Sequence, residues 1–151
     1  MLLRDPFNLF ASRFKHKDIR EHTLKKSKFF KKIWKQYAME YLGETDTWES
    51  KYCVSYNQFI KDEPYRRKIE KDLNLPETDK GINIVSGRGH ASSFDGFKFK
   101  KRGYKMQTAT RWKLMMKDKE YVRFMKDKEM YDLSVRIFGN INGIKDGFGF
   151  K

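Results

Sequence analysis

The chain has 151 residues and a formal net charge of +14, from 34 lysines and arginines against 20 aspartates and glutamates. This length allows one domain with a proper core and leaves little room for a second. Aromatic residues make up 16% of the chain, which excludes a chain disordered by its composition. The single cysteine, Cys53, excludes an intrachain disulfide and a cysteine-cluster metal site.

The length of the apolar runs indicates where in the cell the protein is expected, and its net charge indicates the kind of partner it binds. No apolar run approaches the ~20 residues that span a bilayer, and the opening MLLRDPFN places charged residues where a signal peptide is apolar. We therefore expect a soluble, intracellular, cytoplasmic protein without a membrane partner. The positive charge favours an anionic partner, either a nucleic acid, a nucleotide, or a sulfated or phosphorylated substrate.

The first predicted elements are a strand end at residues 1–3 and a helix that follows it. Asp5 is a good N-cap, and Pro6 suits the first helical position. The apolar residues that follow recur at helical spacing and predict a buried face, formed by Phe7, Phe10, Ala11 and Phe14.

Residues 24–42 form the clearest predicted helix, with Thr23 as a candidate cap at the start and Gly43 at the end. Its lysines lie largely off the apolar stripe and could contact nucleic acid. Charge on the exposed side of an amphipathic helix is ordinary, however, and favours a solvated face. The apolar stripe contains Phe30, Ile33, Trp34, Tyr37 and Tyr41.

The rest of the chain alternates short strands with helices. We predict strands at 51–56 and 82–85, a short helix from Pro64 to Leu73, and a helical region at 112–138 in two pieces. This pattern is typical of an α/β protein with a small parallel sheet flanked by helices. The predicted domain covers residues 1–138, and the glycine-rich residues 139–151 are predicted to be a flexible tail.

Two residues of the opening LLRDPFNLFASR suggest an anion site. Arg4 is predicted to follow a strand and Ser12 to lie roughly two turns into the next helix. Ligands of open parallel sheets bind beyond the carboxyl ends of the strands, and a guanidinium matches phosphate geometry. Arg4 and Ser12 could therefore hold one phosphate from two sides; a strand-end salt bridge plus an ordinary helical serine is the alternative.

This stretch resembles the 3'-phosphate-binding motif of the sulfotransferases that use 3'-phosphoadenosine 5'-phosphosulfate (PAPS). In that motif a strand ends in Arg-Asp-Pro, and a serine follows eight residues after the arginine, as Arg4 and Ser12 do here. Residues 54–75 resemble the family's next block, in which Tyr56 matches a tyrosine placed against the nucleotide. Taken alone, Tyr56 is more simply a core or rim aromatic.

Two later segments extend the resemblance. Residues 87–97 contain Ser92-Ser93-Phe94, which is similar to a small-Ser-Phe element whose phenylalanine packs on the adenine. Residues 98–113 resemble the family's basic loop, which is followed by Trp-Lys. The distance from that loop to Trp112 is longer here than in cytosolic members of the family. The sequence therefore leaves open which residue contacts the phosphate, among Lys101, Arg102, Lys105 and Arg111. The resemblance implies a nucleotide-binding set of Arg4, Ser12, Tyr56, Ser93, Phe94, Arg102 and Arg111.

The resemblance covers only the C-terminal part of the family's domain, which implies a truncated P-loop-NTPase-like, sulfotransferase-type fold. It implies PAPS as the sulfuryl donor and transfer to a hydroxyl or amine acceptor, with a carbohydrate as the candidate acceptor. The family's P-loop and catalytic base precede Arg-Asp-Pro, and only three residues precede Arg4 here. We therefore expect neither the P-loop nor the catalytic base to be present, and the catalytic residue stays unknown. We also expect no bound metal. Either a second chain supplies the P-loop half or the chain is a remnant.

Two alternatives belong to other classes of protein. The first is a basic nucleic-acid-binding protein that uses the helix at 24–42 and the loop at 98–113. No helix-turn-helix, zinc-finger or RNA-recognition signature supports it, so a nucleic-acid partner is disfavoured. The second is a non-catalytic partner subunit, which would form a stable complex that does not depend on a nucleotide.

Overall fold

The first helix and the strand before it begin as the sequence predicts. The computed structural model describes residues 1–79, 81–85, 92, 94–96, 98–99 and 101–151. Strand β1 covers Leu2–Leu3, and helix α1 covers Pro6–Lys15. The Asp5 carboxylate accepts a hydrogen bond from the Asn8 backbone N–H at 2.8 Å, and Pro6 occupies the first turn. The predicted cap and the predicted buried face of α1 are both confirmed.

The sheet is a parallel pair of short strands. Strand β2 covers Val54–Ser55, and it pairs with β1 so that Leu2 lies opposite Val54 and Leu3 opposite Ser55. A mixed helical protein with a small parallel sheet is therefore confirmed. The predicted strand at 82–85 is wrong, because residues 81–83 form a turn and Ile84 is 66% exposed. The Ile84 N–H bonds to the carbonyl of Gly81 instead of to a neighbouring strand.

The predicted helix at 24–42 is part of two helices that meet at Lys26. Helix α2 covers Lys17–Lys25, and helix α3 covers Ser27–Tyr41. Thr23 does not cap a helix; it is buried inside α2, and its hydroxyl donates to the carbonyl of Ile19. Gly43 follows the end of α3 with φ +75°, which a glycine adopts without steric penalty, as predicted.

Short helices follow along the chain. They are α4 (Tyr56–Phe59), α5 (Glu63–Asp72), α6 (Arg111–Leu114), α7 (Lys119–Met125), α8 (Lys128–Phe138) and α9 (Ile144–Phe148).

The core lies between α1, α3 and the helices from α6 to α9. The Phe10 ring centroid is 4.7 Å from that of Phe124, and the Phe14 centroid is 5.6 Å from that of Tyr121. The buried Tyr121 hydroxyl donates to the carbonyl of Phe7 at 2.9 Å. This packing positions α1, which begins two residues after Arg4.

The C-terminal residues differ from the predicted flexible tail. Ile144 and Phe148 of α9 are buried, and the Phe150 ring stacks on Tyr131 with centroids 4.3 Å apart. Gly143 has φ +88°, and a Cβ there would lie 3.2 Å from the Trp112 ring. The glycines of this segment therefore permit a tight turn that carries apolar side chains onto the core.

Among the described residues, no element covers the face of the sheet on which Leu2 lies. An apolar groove of about 610 Å³ lies there, and among its lining residues Leu2 is 61%, Leu73 44% and Trp48 39% exposed. Parallel strands are ordinarily covered on both faces. Within the described residues, no helix is long and apolar enough to cross a membrane.

The loop after α3 is held by a buried carboxylate. Glu40 is 2% exposed, and its oxygens accept from the Lys51 ammonium, the Thr45 hydroxyl and the backbone N–H groups of Thr47 and Trp48. These donors, led by Lys51, lower the pKa of Glu40 from 4.5 to about 2. A carboxylate whose pKa is lower in the folded state stabilises the fold above its unfolded pKa and stops doing so as the pH falls.

We therefore expect Glu40→Gln to be less stable than wild type at neutral pH, with a difference that shrinks as the pH falls from about 4.5 towards about 2. Urea unfolding at a series of pH values measures this difference. Glu44→Gln is the control, because it removes a half-exposed carboxylate close to the same loop. A wild-type-minus-Glu40→Gln difference that stays constant over this range would contradict the prediction.

Candidate functional site

Arg4 follows β1, at the carboxyl end of the parallel pair. Its guanidinium donates to the carbonyl of Thr108 at 2.6 Å and lies 4.9 Å from the ring centroid of Tyr56. Its Nε is buried and has no partner among the described residues. Burial lowers the pKa of Arg4, and the nearby charge of Arg111 lowers it further, against the opposing effects of Tyr56 and Asp5. Arg4 is thus a largely buried cation close to a second cation.

Asn8 joins the start of α1 to the segment at 108–112. Its buried amide donates to both oxygens of Asp5, at 3.0 and 3.2 Å, and to the carbonyl of Ala109 at 3.0 Å. Its carbonyl oxygen accepts from the backbone N–H of Trp112 at 3.2 Å. Residues about a hundred positions apart are therefore fixed side by side. The sequence prediction missed this role of Asn8.

Ser12 contacts the second arginine of the site. Its hydroxyl donates to the carbonyl of Asn8 at 3.0 Å and accepts from Arg111 NH1 at 2.8 Å. Because its one proton is directed to the backbone, Ser12 orients Arg111 in this structure. A direct bond from Ser12 to a phosphate stays a prediction and needs rotation of the hydroxyl.

Arg111 is the most buried of the four basic candidates in the segment at 98–113, because it is 4% exposed and the other three are exposed. It donates hydrogen bonds to three side chains. Its NH2 donates to Ser92 Oγ at 2.9 Å and to Asp95 Oδ2 at 2.6 Å. Its guanidinium lies 5.0 Å from the ring centroid of Phe94. Its Nε is buried without a partner among the described residues. The sequence did not predict that Asp95 pairs with Arg111, because the sequence of a loop does not show which cation a carboxylate contacts in the fold.

A cleft of about 990 Å³ with both polar and apolar lining residues opens beside these residues, with Tyr56, Thr108 and Arg111 in its wall. That volume falls at the upper end of the range for small-molecule sites, ~300–1,000 Å³. Each aromatic side chain of the predicted set, Tyr56 and Phe94, has an arginine over its ring. The cleft wall itself combines the aromatic ring of Tyr56 with the cations of Lys61, Arg66 and Arg111, which suits a ligand with an aromatic part and an anionic part.

The structure thus brings together five of the seven predicted nucleotide-binding residues, namely Arg4, Ser12, Tyr56, Phe94 and Arg111. Ser93 lies outside the described residues. Arg102 is exposed and precedes a 3-10 turn (Gly103–Lys105) whose Gly103 and Tyr104 line the cleft. Its contact with a ligand stays a prediction.

Comparison with known proteins yields no match to a family model, a curated protein or a solved structure. In the described part of the chain, no group of three or more histidine, cysteine, aspartate or glutamate residues could hold a metal ion. The two neighbouring arginines and the cleft are therefore the features that indicate a ligand.

Proposed function

We propose that this chain binds an adenosine 3'-phosphate nucleotide, PAPS or its product 3',5'-ADP, with the 3'-phosphate at Arg4 and Arg111. One observation carries the proposal: two arginines from distant segments, the buried Arg111 and the partly buried Arg4, lie close enough for their charges to interact, and Arg4 stands at the carboxyl end of a parallel strand pair. Their Nε atoms have no partner among the described residues. Ligands of open parallel sheets bind at this end.

The charges of the site call for an anion. Two like charges close together disfavour their charged forms, and Arg111 lowers the pKa of Arg4 here. Among the described residues, Arg111 pairs with Asp95 but no carboxylate lies within ion-pair distance of Arg4, and a buried charge without such a partner is costly. A phosphomonoester carries about −1.5 to −2 charge at neutral pH and three acceptor oxygens. It would therefore compensate both guanidinium groups at once.

The rings of Tyr56 and Phe94 provide a place for the base. Stacking of a nucleic-acid base on an aromatic side chain is worth ~1–3 kcal/mol. Both rings already lie against the two arginines, so a base stacked on either ring would keep the 3'-phosphate of its ribose within reach of a guanidinium.

For the reaction we propose sulfuryl transfer from PAPS, on a sulfotransferase-type fold. The bond between sulfur and the 5'-phosphate oxygen breaks, and a bond between sulfur and an acceptor hydroxyl or amine forms, with loss of the acceptor's proton to a base. The departing phosphate must be neutralised and the acceptor activated. The sequence holds no Gly-Lys-Ser/Thr segment to bind the 5' end.

We propose that a second polypeptide, packed on the bare face of the β1–β2 pair, supplies the P-loop half and the base. The bare face of the β1–β2 pair supports this, since a parallel sheet is ordinarily larger and covered on both faces. The resemblance of the opening motif to sulfotransferases is the basis for a carbohydrate as the acceptor class.

Calorimetric titration of 3',5'-ADP into wild type and Arg4→Ala tests the nucleotide proposal. We expect wild type to bind and Arg4→Ala to bind about tenfold or more weakly, because a hydrogen bond to a charged group contributes about 1.5–3 kcal/mol. Arg136→Ala is the control, because Arg136 is half-exposed and pairs with Glu44. It should bind as wild type does. Absence of wild-type binding, or equal binding by Arg4→Ala, would contradict the proposal.

The nucleic-acid alternative is less well supported by the surface of α3. Lys35 lies 2.9 Å from Asp127 and also pairs with Glu129, and Lys31 lies 3.5 Å from Asp127. Part of the lysine face is therefore neutralised within the protein. Duplex DNA binding that weakens steeply with salt, by a slope of about −0.9 per contacted phosphate, would favour this alternative instead.

A further inference from the structure

We infer that Tyr104, together with Tyr56, forms the surface on which the base of the ligand stacks, and that Phe94 supports Arg111 instead of contacting the base. Because a nucleotide must occupy the cleft, this role of Tyr104 rests on the proposed function. Tyr104 lies outside the predicted nucleotide-binding set, and Phe94 loses the contact with the adenine that the resemblance implies.

Two tyrosines supply the aromatic rings of the cleft wall in the described part of the chain, Tyr56 from α4 and Tyr104 from the 3-10 turn. The apolar side chains of Ile60 and Ile82 lie in the same wall, and Arg111 adds a cation to it. Sites for small molecules combine hydrophobic and aromatic side chains with a few polar groups that fix the ligand's orientation. The cleft therefore offers a planar base aromatic and apolar contacts close to the cation that would hold a phosphate.

Tyr104 carries an exposed ring on a backbone that is bonded to a second segment. The residue is 70% exposed, whereas its backbone N–H donates to Asn83 Oδ1 at 3.2 Å. The N–H of Gly103 donates to the carbonyl of Asn83 at 3.1 Å, and a Cβ at Gly103 would lie 2.9 Å from the carbonyl oxygen of Ile82. The two segments thus approach closely at a glycine. A tyrosine presented in this way offers a large contact area and loses little conformational entropy on binding.

The ring of Phe94 has other neighbours. It is partly buried against the hydrophobic core, and it is not among the described residues that line the cleft. The Arg111 guanidinium lies 5.0 Å and the Lys15 ammonium 5.8 Å from its ring centroid. Cations are attracted to the face of an aromatic ring, so that Phe94 helps to hold Arg111. A base stacked on Phe94 would compete with these cations, whereas Tyr104 can stack on a base without losing core contacts.

The test uses two ligands that differ at the base. They are 3',5'-ADP and methyl β-D-ribofuranoside 3,5-bisphosphate, which carries a methoxy group in place of the adenine. Calorimetric titration gives the affinity of 3',5'-ADP, and competition against 3',5'-ADP gives the affinity of the base-free ligand. Because both ligands carry the same two phosphates, the ratio of their affinities measures the contact with the base. We expect wild type to prefer 3',5'-ADP by about tenfold or more, since base stacking on aromatic side chains has effects of this size.

Tyr104→Ala should lower this ratio by about fivefold or more, by weakening 3',5'-ADP and leaving the base-free ligand close to its wild-type affinity. Tyr104→Phe keeps the ring and should keep the wild-type ratio. Phe94→Leu should weaken both ligands by a similar factor, because it acts through Arg111, and should leave the ratio unchanged. Tyr37→Ala is the control, since Tyr37 is 38% exposed and lines the apolar groove instead of the cleft. It should keep both wild-type affinities.

The outcomes separate the role of Tyr104 from the proposed function. A ratio that is unchanged in Tyr104→Ala, or lowered by Phe94→Leu, would overturn the base assignment and leave the nucleotide site standing. Equal affinity of wild type for the two ligands would show that no ring contacts the base, and the phosphate site would stand if Arg4→Ala weakens both ligands. If wild type does not bind 3',5'-ADP, the proposed function is overturned and the role of Tyr104 with it.

Discussion

Asn8→Leu is expected to lose about 3–5 kcal/mol of unfolding free energy, a large part of the total for a small domain. Asn8 is fully buried, and its amide bonds Asp5, the carbonyl of Ala109 and the N–H of Trp112. Leucine has a similar volume but no polar atoms. Each buried group left unpaired costs ~1–3 kcal/mol, and the Asp5 carboxyl, whose pKa burial already raises, loses a compensating donor.

Urea unfolding of wild type, Asn8→Leu and Asn140→Leu measures this loss. Asn140 is exposed on the surface, so its substitution should change the free energy of unfolding by about 0.5 kcal/mol or less. A loss below about 1 kcal/mol for Asn8→Leu would contradict the prediction. It would mean that contacts other than the Asn8 amide hold residues 108–112 against α1.

Phe10→Ala is expected to lower the unfolding free energy by about 3–5 kcal/mol. Phe10 is 2% exposed, and its ring lies 4.7 Å from that of Phe124. Removal of the ring forfeits its transfer free energy and leaves a cavity between α1 and α7, because a close-packed interior relaxes only in part.

The matched control is Phe29→Ala on α3, because Phe29 is the same residue type and 54% exposed. Thermal and urea unfolding should place this control far closer to wild type than Phe10→Ala. Equal losses for the two variants would show that α1 does not form the centre of the core.

Sequence patterns predicted those helices whose start and buried face depend on interactions between residues close together in the chain. Asp5 and Pro6 mark the start of α1 because the cap and the fixed φ of proline act within one turn. The apolar periodicity likewise identified Phe7 and Phe10 as core residues. The split of the long helix at Lys26 was not foreseen, since Lys26 has ordinary helix propensity.

The sequence-based predictions differ from the structure in segments whose conformation depends on contacts with residues far away in the chain. Residues 82–85 look like a strand, but a strand needs a neighbour, and the described part of this segment forms a turn. Residues 139–151 look flexible because of their glycines, yet Ile144 and Phe148 find places on a core that the sequence does not display.

The same distinction applies to the candidate site. Arg4, Ser12 and Tyr56 could be selected from spacing in the chain, and the structure gathers them near Arg111. The choice of Arg111 among the basic residues of its loop, and the roles of Asn8 and Asp95, depend on contacts between segments more than ten residues apart. No pattern within a single segment carries that information.

Two tryptophans close to the site can report on it through their intrinsic fluorescence. Of the three tryptophans, Trp34 donates its indole N–H to the carbonyl of Arg4 at 3.0 Å, and Trp112 directly follows Arg111. Both indoles are shielded from water, whereas Trp48 is 39% exposed in the apolar groove. Iodide would therefore quench the fluorescence of Trp48 selectively. The remaining emission would come from the two indoles beside the arginines and would change with their environment, without an attached dye.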